Sequence, residues 1–213
     1  MAAKKKPLVI GLTGAIGAGK SAVAALLSAK GIPVIDADAL GREVWEASAE
    51  MKDALAAAFG PAIMRADGSV DRRTLAREAF ASEEATARLN GIVHPFLGAR
   101  IRDEIAAQRD VPFVVVDAAL IVEWGASLPV DVVVVVDAPE GVRRERSRDK
   151  YDEADFSARQ ARQLDAAAKR AAADIIIDNS GSQAELAAKA DLLYNELLAL
   201  ANGRGRPAEA PII

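Results

Sequence analysis

Leu8-Val9-Ile10-Gly11-Leu12-Thr13-Gly14-Ala15-Ile16-Gly17-Ala18-Gly19-Lys20-Ser21, followed by Ala22-Val23-Ala24-Ala25-Leu26-Leu27-Ser28-Ala29-Lys30-Gly31, joins three kinds of local sequence in one run. Leu8 to Thr13 is an apolar, partly β-branched run that reads as a buried strand, and Lys20 to Lys30 has helical composition ending at a glycine. Between them Gly14 to Ser21 matches the phosphate-loop pattern G-x-x-x-x-G-K-[ST]. Glycines let backbone N–H groups converge on phosphate oxygens, and the helix that follows points its positive end at the same place. Lys20 is then expected at the β- and γ-phosphates of a nucleoside triphosphate and the Ser21 hydroxyl on Mg²⁺. Ala15, Ile16, Ala18 and Ala22 complete the loop and the first helical turn. The alternative is a glycine-rich turn without function, but it leaves the lysine, the hydroxyl and both flanks unexplained.

Outward from this stretch, short β-branched runs alternate with long alanine-rich stretches, the pattern of a parallel sheet covered on both faces. Five strands are expected, at Leu8 to Thr13, Pro33 to Ile35, Phe113 to Asp117, Val130 to Asp137 and Asp174 to Ile177. More than seventy residues separate the second strand from the third, too many for a crossover. They carry apolar residues at helical spacing, including Leu89, Ile92, Val93, Phe96, Leu97, Ile101 and Ile105, so they read as an inserted helical subdomain. An arginine-rich insertion from Pro139 to about Ala173 precedes the last strand, and a helix from about Gln183 to Leu200 closes the fold. The expected class is α/β, a three-layer phosphate-loop nucleotide-binding fold. Its core would be 1–38, 110–138 and 174–202, with a helical acceptor subdomain at 39–109, a lid at 139–173 and a disordered tail at 203–213.

The chain has 213 residues, 51% hydrophobic and 27% charged, enough for one large domain with insertions. A net charge of −4 gives no field for bulk nucleic-acid binding. The absence of cysteine removes disulfides, thiolate metal sites and cysteine nucleophiles. Lys4 to Lys6 precede an apolar run, but the phosphate loop interrupts it short of an export-signal core. Asp131 and Asp137 bracket the valine run, so no stretch approaches the roughly 20 apolar residues of a membrane span. A cytoplasmic protein, acting as a monomer or weak homo-oligomer on small molecules, is expected.

Two insertions in such a core suggest a kinase, one holding the acceptor while the other closes over the phosphates and excludes water. Asp36 and Asp38 follow the second strand, where ligands of open α/β sheets bind. One could take the proton of an attacking hydroxyl and the other hold Mg²⁺ through water; alternatively Asp38 caps the helix running toward Ala58. Arg144 and Arg148, four apart, share a helix face and could grip the transferring phosphoryl group. Against that, seven acids lie among the nine basic residues from Pro139 to Arg170, the composition of a solvated ion-paired face. His94, the only histidine, either contacts substrate or, with Pro95, starts the helix through Arg109. Asp117 and Asp137 both end valine-rich strands and both qualify for ordering Mg²⁺.

Taken together these residues resemble the dephospho-CoA kinase family over about Leu8 to Leu200. The resemblance is carried by Gly14 to Ser21, Val34 to Asp38 with Arg42, Phe59-Gly60, Asp67-Gly68, and Asp71-Arg72-Arg73 with Leu75 and Phe80. Leu89-Asn90, His94-Pro95, Arg144 with Arg148-Asp149, Arg159, Gln163, Ala173-Asp174, Ile177-Asp178-Asn179 and Gly181 extend it. It implies transfer of the γ-phosphoryl of ATP to the ribose 3′-hydroxyl of dephospho-CoA, the last step of coenzyme A biosynthesis. By the same analogy Asp38 is the general base, Lys20 and the loop bind ATP, Ser21 holds Mg²⁺, and Arg144 and Arg148 act from the lid. Asn179 and Gly181 would lie near adenine, and Asp36, Arg42, His94 and Leu120 would serve the dephospho-CoA pocket. Ala119 stands where the family has proline, and Ala22 where it has threonine. The competing readings are a kinase for a nucleoside or nucleoside monophosphate and a nucleotide-binding regulator without catalysis. A GTP switch is disfavoured because Asn-Lys-x-Asp occurs nowhere.

Overall fold

The computed structural model describes residues 6–119, 121, 128, 130–161, 163–203, 205 and 210–213. Five parallel strands form one sheet in the order β2-β3-β1-β4-β5. They are β1 (Leu8–Gly14), β2 (Val34–Asp36), β3 (Phe113–Asp117), β4 (Val132–Asp137) and β5 (Ile175–Asp178). All five coincide with the β-branched runs, because a strand buried on both faces gains from Val and Ile at every position rather than at alternate ones. The register sets Leu12 beside Asp117 and Gly14 beside Val136, so the carboxyl ends of β1, β3 and β4 open on one edge.

Helix α1 (Lys20–Ser28) follows β1, and the chain then passes β3 to reach β2, whereas β4 and β5 lie on the other side of β1. The turn after β1 therefore sits where the connections diverge, the place at which an open α/β sheet leaves a crevice. On one face, Ile10, Leu12, Phe113, Val115, Val134 and Ile175 pack with Val23 and Leu27 of α1 and Leu186, Leu193 and Leu197 of the closing helix. That helix, α9 (Gln183–Ala201), starts at a reciprocal cap in which the Ser182 hydroxyl accepts from the Glu185 N–H and Glu185 accepts from the Ser182 N–H. The arginine-rich segment forms α6 (Glu140–Ser147), α7 (Glu153–Gln160) and α8 (Ala166–Ala171), the last two capped by Asp152 and Asp165.

The chain divides into two compact units, residues 1–36 with 104–213, and residues 37–103. The second contains α2 (Ala37–Ala47), α3 (Ala49–Phe59), α4 (Arg72–Ala79) and most of α5 (Glu83–Ala107). Its core joins Val44, Met51, Leu55, Ile63, Val70, Leu75 and Ala79. Ser48 breaks the expected continuous helix toward Ala58 into two, its hydroxyl accepting from the Met51 N–H at 3.1 Å. Pro95 does not start a helix but lies inside α5. The carbonyl it would leave unpaired is that of Gly91, which is exposed and can turn to water.

One expectation for the tail is corrected. Ile212 pairs in parallel with Ile176, and three backbone hydrogen bonds tie Pro211 and Ile213 to β5 at 2.9 to 3.0 Å. The physical reason is the free edge of β5, whose unpaired N–H and C=O groups accept one more extended segment. Among the described residues no helix is long and apolar enough to cross a membrane.

Candidate active site

Gly17 and Gly19 take left-handed backbone angles, with φ of 77° and 97°. A Cβ on Gly17 would lie 2.6 Å from the Ser147 Oγ, and one on Gly19 would run into the Asn179 amide, so conformation and space both demand glycine. The loop delivers the chain into α1 at Lys20, where the first N–H groups have no partner inside the helix and face outward with its positive end. A phosphate fits such a cradle by charge and by hydrogen bonding.

Several side chains hold the loop in shape. The Asn179 Nδ2 donates to the Ala18 carbonyl at 2.8 Å, and the Ile16 N–H donates to the Gln163 Oε1 at 3.1 Å. Arg143, only 5% exposed, donates from Nη1 to the Ile16 carbonyl at 3.2 Å and from Nε to the Ala138 carbonyl at 3.1 Å. One buried guanidinium thus ties the loop to the root of α6 and places a positive charge behind the phosphate cradle. The four-residue spacing in the sequence points to its neighbour Arg144 and does not single out Arg143. Nothing in the local pattern distinguishes them, since burial decides and burial is set by packing.

Lys20 pairs with Asp117, the last residue of β3, both side chains being largely buried at 16% and 13% exposure. Asp137, the other candidate, is engaged instead by Arg170 at 2.6 Å. Of the two strand-end acids, Asp117 is therefore the one brought to the phosphate-loop lysine. Behind it, the Ala119 carbonyl accepts from the Thr13 hydroxyl at 3.1 Å and from the Lys169 Nζ at 2.8 Å. Lys169 is 1% exposed and fixes the start of the segment after β3, a role no sequence signal announced. Leu120 lies outside the described residues.

The two arginines expected to act from a lid, Arg144 and Arg148, take different partners. Arg144 is paired with Glu140 at 2.7 Å and with Glu153, and its guanidinium stands 5.0 Å from the Phe156 ring. Arg148 is paired with Glu145 at 2.9 Å on an open surface. The intrahelical ion pairs weighed as the alternative in the sequence are thus present. The Arg144 guanidinium beside Glu140 holds that carboxyl below its ordinary range. Arg146 reaches the loop after β5, donating to the carbonyls of Asn179 at 2.8 Å and Gly181 at 3.1 Å. Asn179 and Gly181 are therefore fastened to α6 by their backbones while Asn179 grips the phosphate loop with its side chain.

Asp36 is the exposed last residue of β2. Asp38 falls in the first turn of α2 rather than at its cap, because the helix already begins at Ala37. Asp38 and Arg42 are exposed on one side of α2, whose opposite side buries Ala37, Leu40 and Val44. His94 lies in α5, where burial lowers its pKa from 6.5.

A sequence profile of the dephospho-CoA kinase family matches residues 8–185. The dephospho-CoA kinase of Anaeromyxobacter dehalogenans is 44% identical over 202 residues, spanning 93% of this chain and 94% of that one. Among solved structures, TT1252 from Thermus thermophilus superposes with a TM-score of 0.75 at 32% identity over 94% of this chain and 100% of that one. The dephospho-CoA kinase of Campylobacter jejuni shares the fold, with a TM-score of 0.55 at 22% identity over 91% of this chain and 98% of its own.

Proposed function

The chain belongs to the dephospho-CoA kinase family and carries out the ATP-dependent phosphorylation of dephospho-CoA in coenzyme A biosynthesis; on that premise we propose how its own residues perform the transfer. The phosphate loop from Gly14 to Ser21 holds the β- and γ-phosphates, with the α1 N-terminus and Lys20 supplying positive charge. Phosphates arriving there compete with Asp117 for Lys20, which exchanges one anionic partner for another. Arg143, Gln163 and Asn179 keep the loop carbonyls and amides from rearranging while charge moves across the γ-phosphoryl group. The acceptor is the ribose 3′-hydroxyl, and Asp38 takes its proton as the oxygen attacks. Arg42 and His94, in the same compact unit as Asp38, position dephospho-CoA, and family resemblance gives Asp36 and Leu120 a part in binding it. Arg144 and Arg148 meet the transferring group by releasing their carboxylate partners.

The donors suit Mg²⁺. They are all oxygen, with the Ser21 hydroxyl at the loop end and the Asp117 carboxylate beside Lys20, and no group of three acidic or imidazole ligands exists among the described residues. Mg²⁺ is ordinarily held by one or two protein oxygens with substrate phosphates and water, not by a protein cage. Ser21 would hold it, with Asp117 behind, and its charge would offset that of the β- and γ-phosphates. We place the reaction in the cytoplasm, in a monomer or weak homo-oligomer.

The observation that carries this reading is the glycine-shaped loop locked to Asn179, Gln163 and Arg143 in a chain of this family. Turnover of ATP with dephospho-CoA, adenosine or AMP as acceptor tests it, with the phosphorylated position read by NMR. Transfer to the 3′-hydroxyl of dephospho-CoA is expected, and preference for AMP or adenosine would overturn it.

A further inference from the structure

A cleft of about 350 Å³ opens within the helical unit, walled by Trp45, Lys52, Arg65 and Arg72 with one acid, Glu46. Three cations against one anion leave its lining at net +2, in a chain whose overall charge is −4. The cations come from three separate elements. Lys52 stands in the first turn of α3, Arg65 on the turn closed by the Met64 to Val70 bridge, and Arg72 at the first position of α4. Their convergence is therefore a product of tertiary structure and not a charge run along one helix.

The pairs these cations make are loose. Arg72 lies 4.0 Å from Glu46 and Arg65 3.5 Å from Asp71, with both guanidinium side chains more than half exposed. Such pairs contribute little and give way to an anion that offers more oxygens in a better geometry. Trp45 is half-buried against the unit's apolar cluster, and the Arg72 guanidinium stands 5.9 Å from its ring, so the indole steers that arginine over the cleft.

Helix α2 connects the cleft to Asp38. Asp38, Arg42 and Trp45 are spaced by four and three residues and form one stripe on the side opposite buried Leu40 and Val44. Seven residues at 1.5 Å each set Trp45 about 10 Å along the axis from Asp38. A ribose with its 5′-diphosphate, met by an arginine side chain, covers that span.

We propose that this cleft is the anion subsite for the acceptor, gripping the diphosphate of dephospho-CoA with Arg65, Arg72 and Lys52 while the ribose hydroxyl is presented to Asp38. The inference rests on the assignment of Asp38 and the acceptor made above. It explains why an otherwise acidic chain concentrates cations around one aromatic wall. It also gives the acceptor a handle far from the reacting oxygen, the kind of remote contact that orients a substrate for in-line attack.

The test compares the wild type with the double variant Arg65→Gln and Arg72→Gln and with the single variant Lys52→Gln, each first shown to keep the wild-type melting temperature within a few degrees. In the double variant the KM for dephospho-CoA should rise at least tenfold, and in the single variant by a smaller factor, with the KM for ATP and the saturated kcat within twofold. Titration calorimetry of dephospho-CoA in the absence of ATP should show the same loss of affinity. An unchanged acceptor KM, or equal rises for both substrates, would overturn the proposal. Should the wild type fail to phosphorylate dephospho-CoA, the activity assignment falls by itself, and the calorimetry alone decides the cleft: binding lost in the double variant supports it, and binding unaltered refutes it.

Discussion

Replacing Arg143 with methionine keeps the apolar stem and removes the guanidinium that links the phosphate loop to α6. Two hydrogen bonds go with it, to the carbonyls of Ile16 and Ala138 at 3.2 and 3.1 Å, while the 3.5 Å approach to Gln160 is too long to count for much. Bonds from a charged donor contribute roughly 1.5 to 3 kcal/mol each. Taking the lower figure gives about 3 kcal/mol, and the 5% exposure of the side chain leaves water little chance to replace what is lost. If half of that free energy appears as loosening of the loop, ATP affinity falls about tenfold, since about 1.4 kcal/mol corresponds to a factor of ten. The rest lowers global stability, by several degrees in melting temperature for a chain of this size at roughly 2 to 4 °C per kcal/mol. Calorimetric titration with a non-hydrolysable ATP analogue reads the first quantity and a thermal scan the second. Arg143→Lys, which restores the charge without the planar fork, should recover only part of the affinity. An ATP affinity within twofold of wild type, with an unmoved melting temperature, would refute the argument that this buried arginine shapes the loop.

Lys20→Met should lower kcat/KM by at least a thousandfold, and because it strands the largely buried Asp117 carboxylate it should also lower the melting temperature; steady-state kinetics and a thermal scan check both. Asp38→Asn should reduce kcat by a hundredfold or more with little change in nucleotide affinity, and an effect confined to stability would remove Asp38 from the chemistry. Burial lowers the His94 pKa below 6.5, so as pH falls past that value the unfolded chain takes up a proton that the folded chain still refuses. Stability should therefore decline as pH falls below about 6.5, and the advantage of the wild type over His94→Gln should shrink from pH 7 to pH 5 in chemical denaturation. An advantage that grows on acidification would contradict the burial argument.

Much of the architecture was legible because its signals are local. The five strands are β-branched runs that have no other comfortable conformation, and Gly14 to Ser21 announces its own turn, since Gly17 and Gly19 hold backbone angles that other residues resist. Helix boundaries were less legible where competing local preferences met tertiary contacts. Ser48 divides what composition alone reads as one helix, and Pro95 is accommodated inside α5.

What the amino-acid sequence determined by itself, then, is the strand–loop–helix unit, the pairing-ready β runs and the set of charged residues from which a phosphoryl-transfer site is drawn. The folded chain decided which of those charges meet. It buried Arg143 rather than Arg144 behind the loop, gave Lys20 to Asp117 rather than Asp137, aimed Asn179 at the Ala18 carbonyl, and laid Ile212 along the edge of β5. The physical reason is range. Backbone preference and hydrophobic period act within a few residues, whereas Arg143 and Ile16 or Lys20 and Asp117 meet only after the sheet order is set, and their partners follow from packing that no single segment encodes.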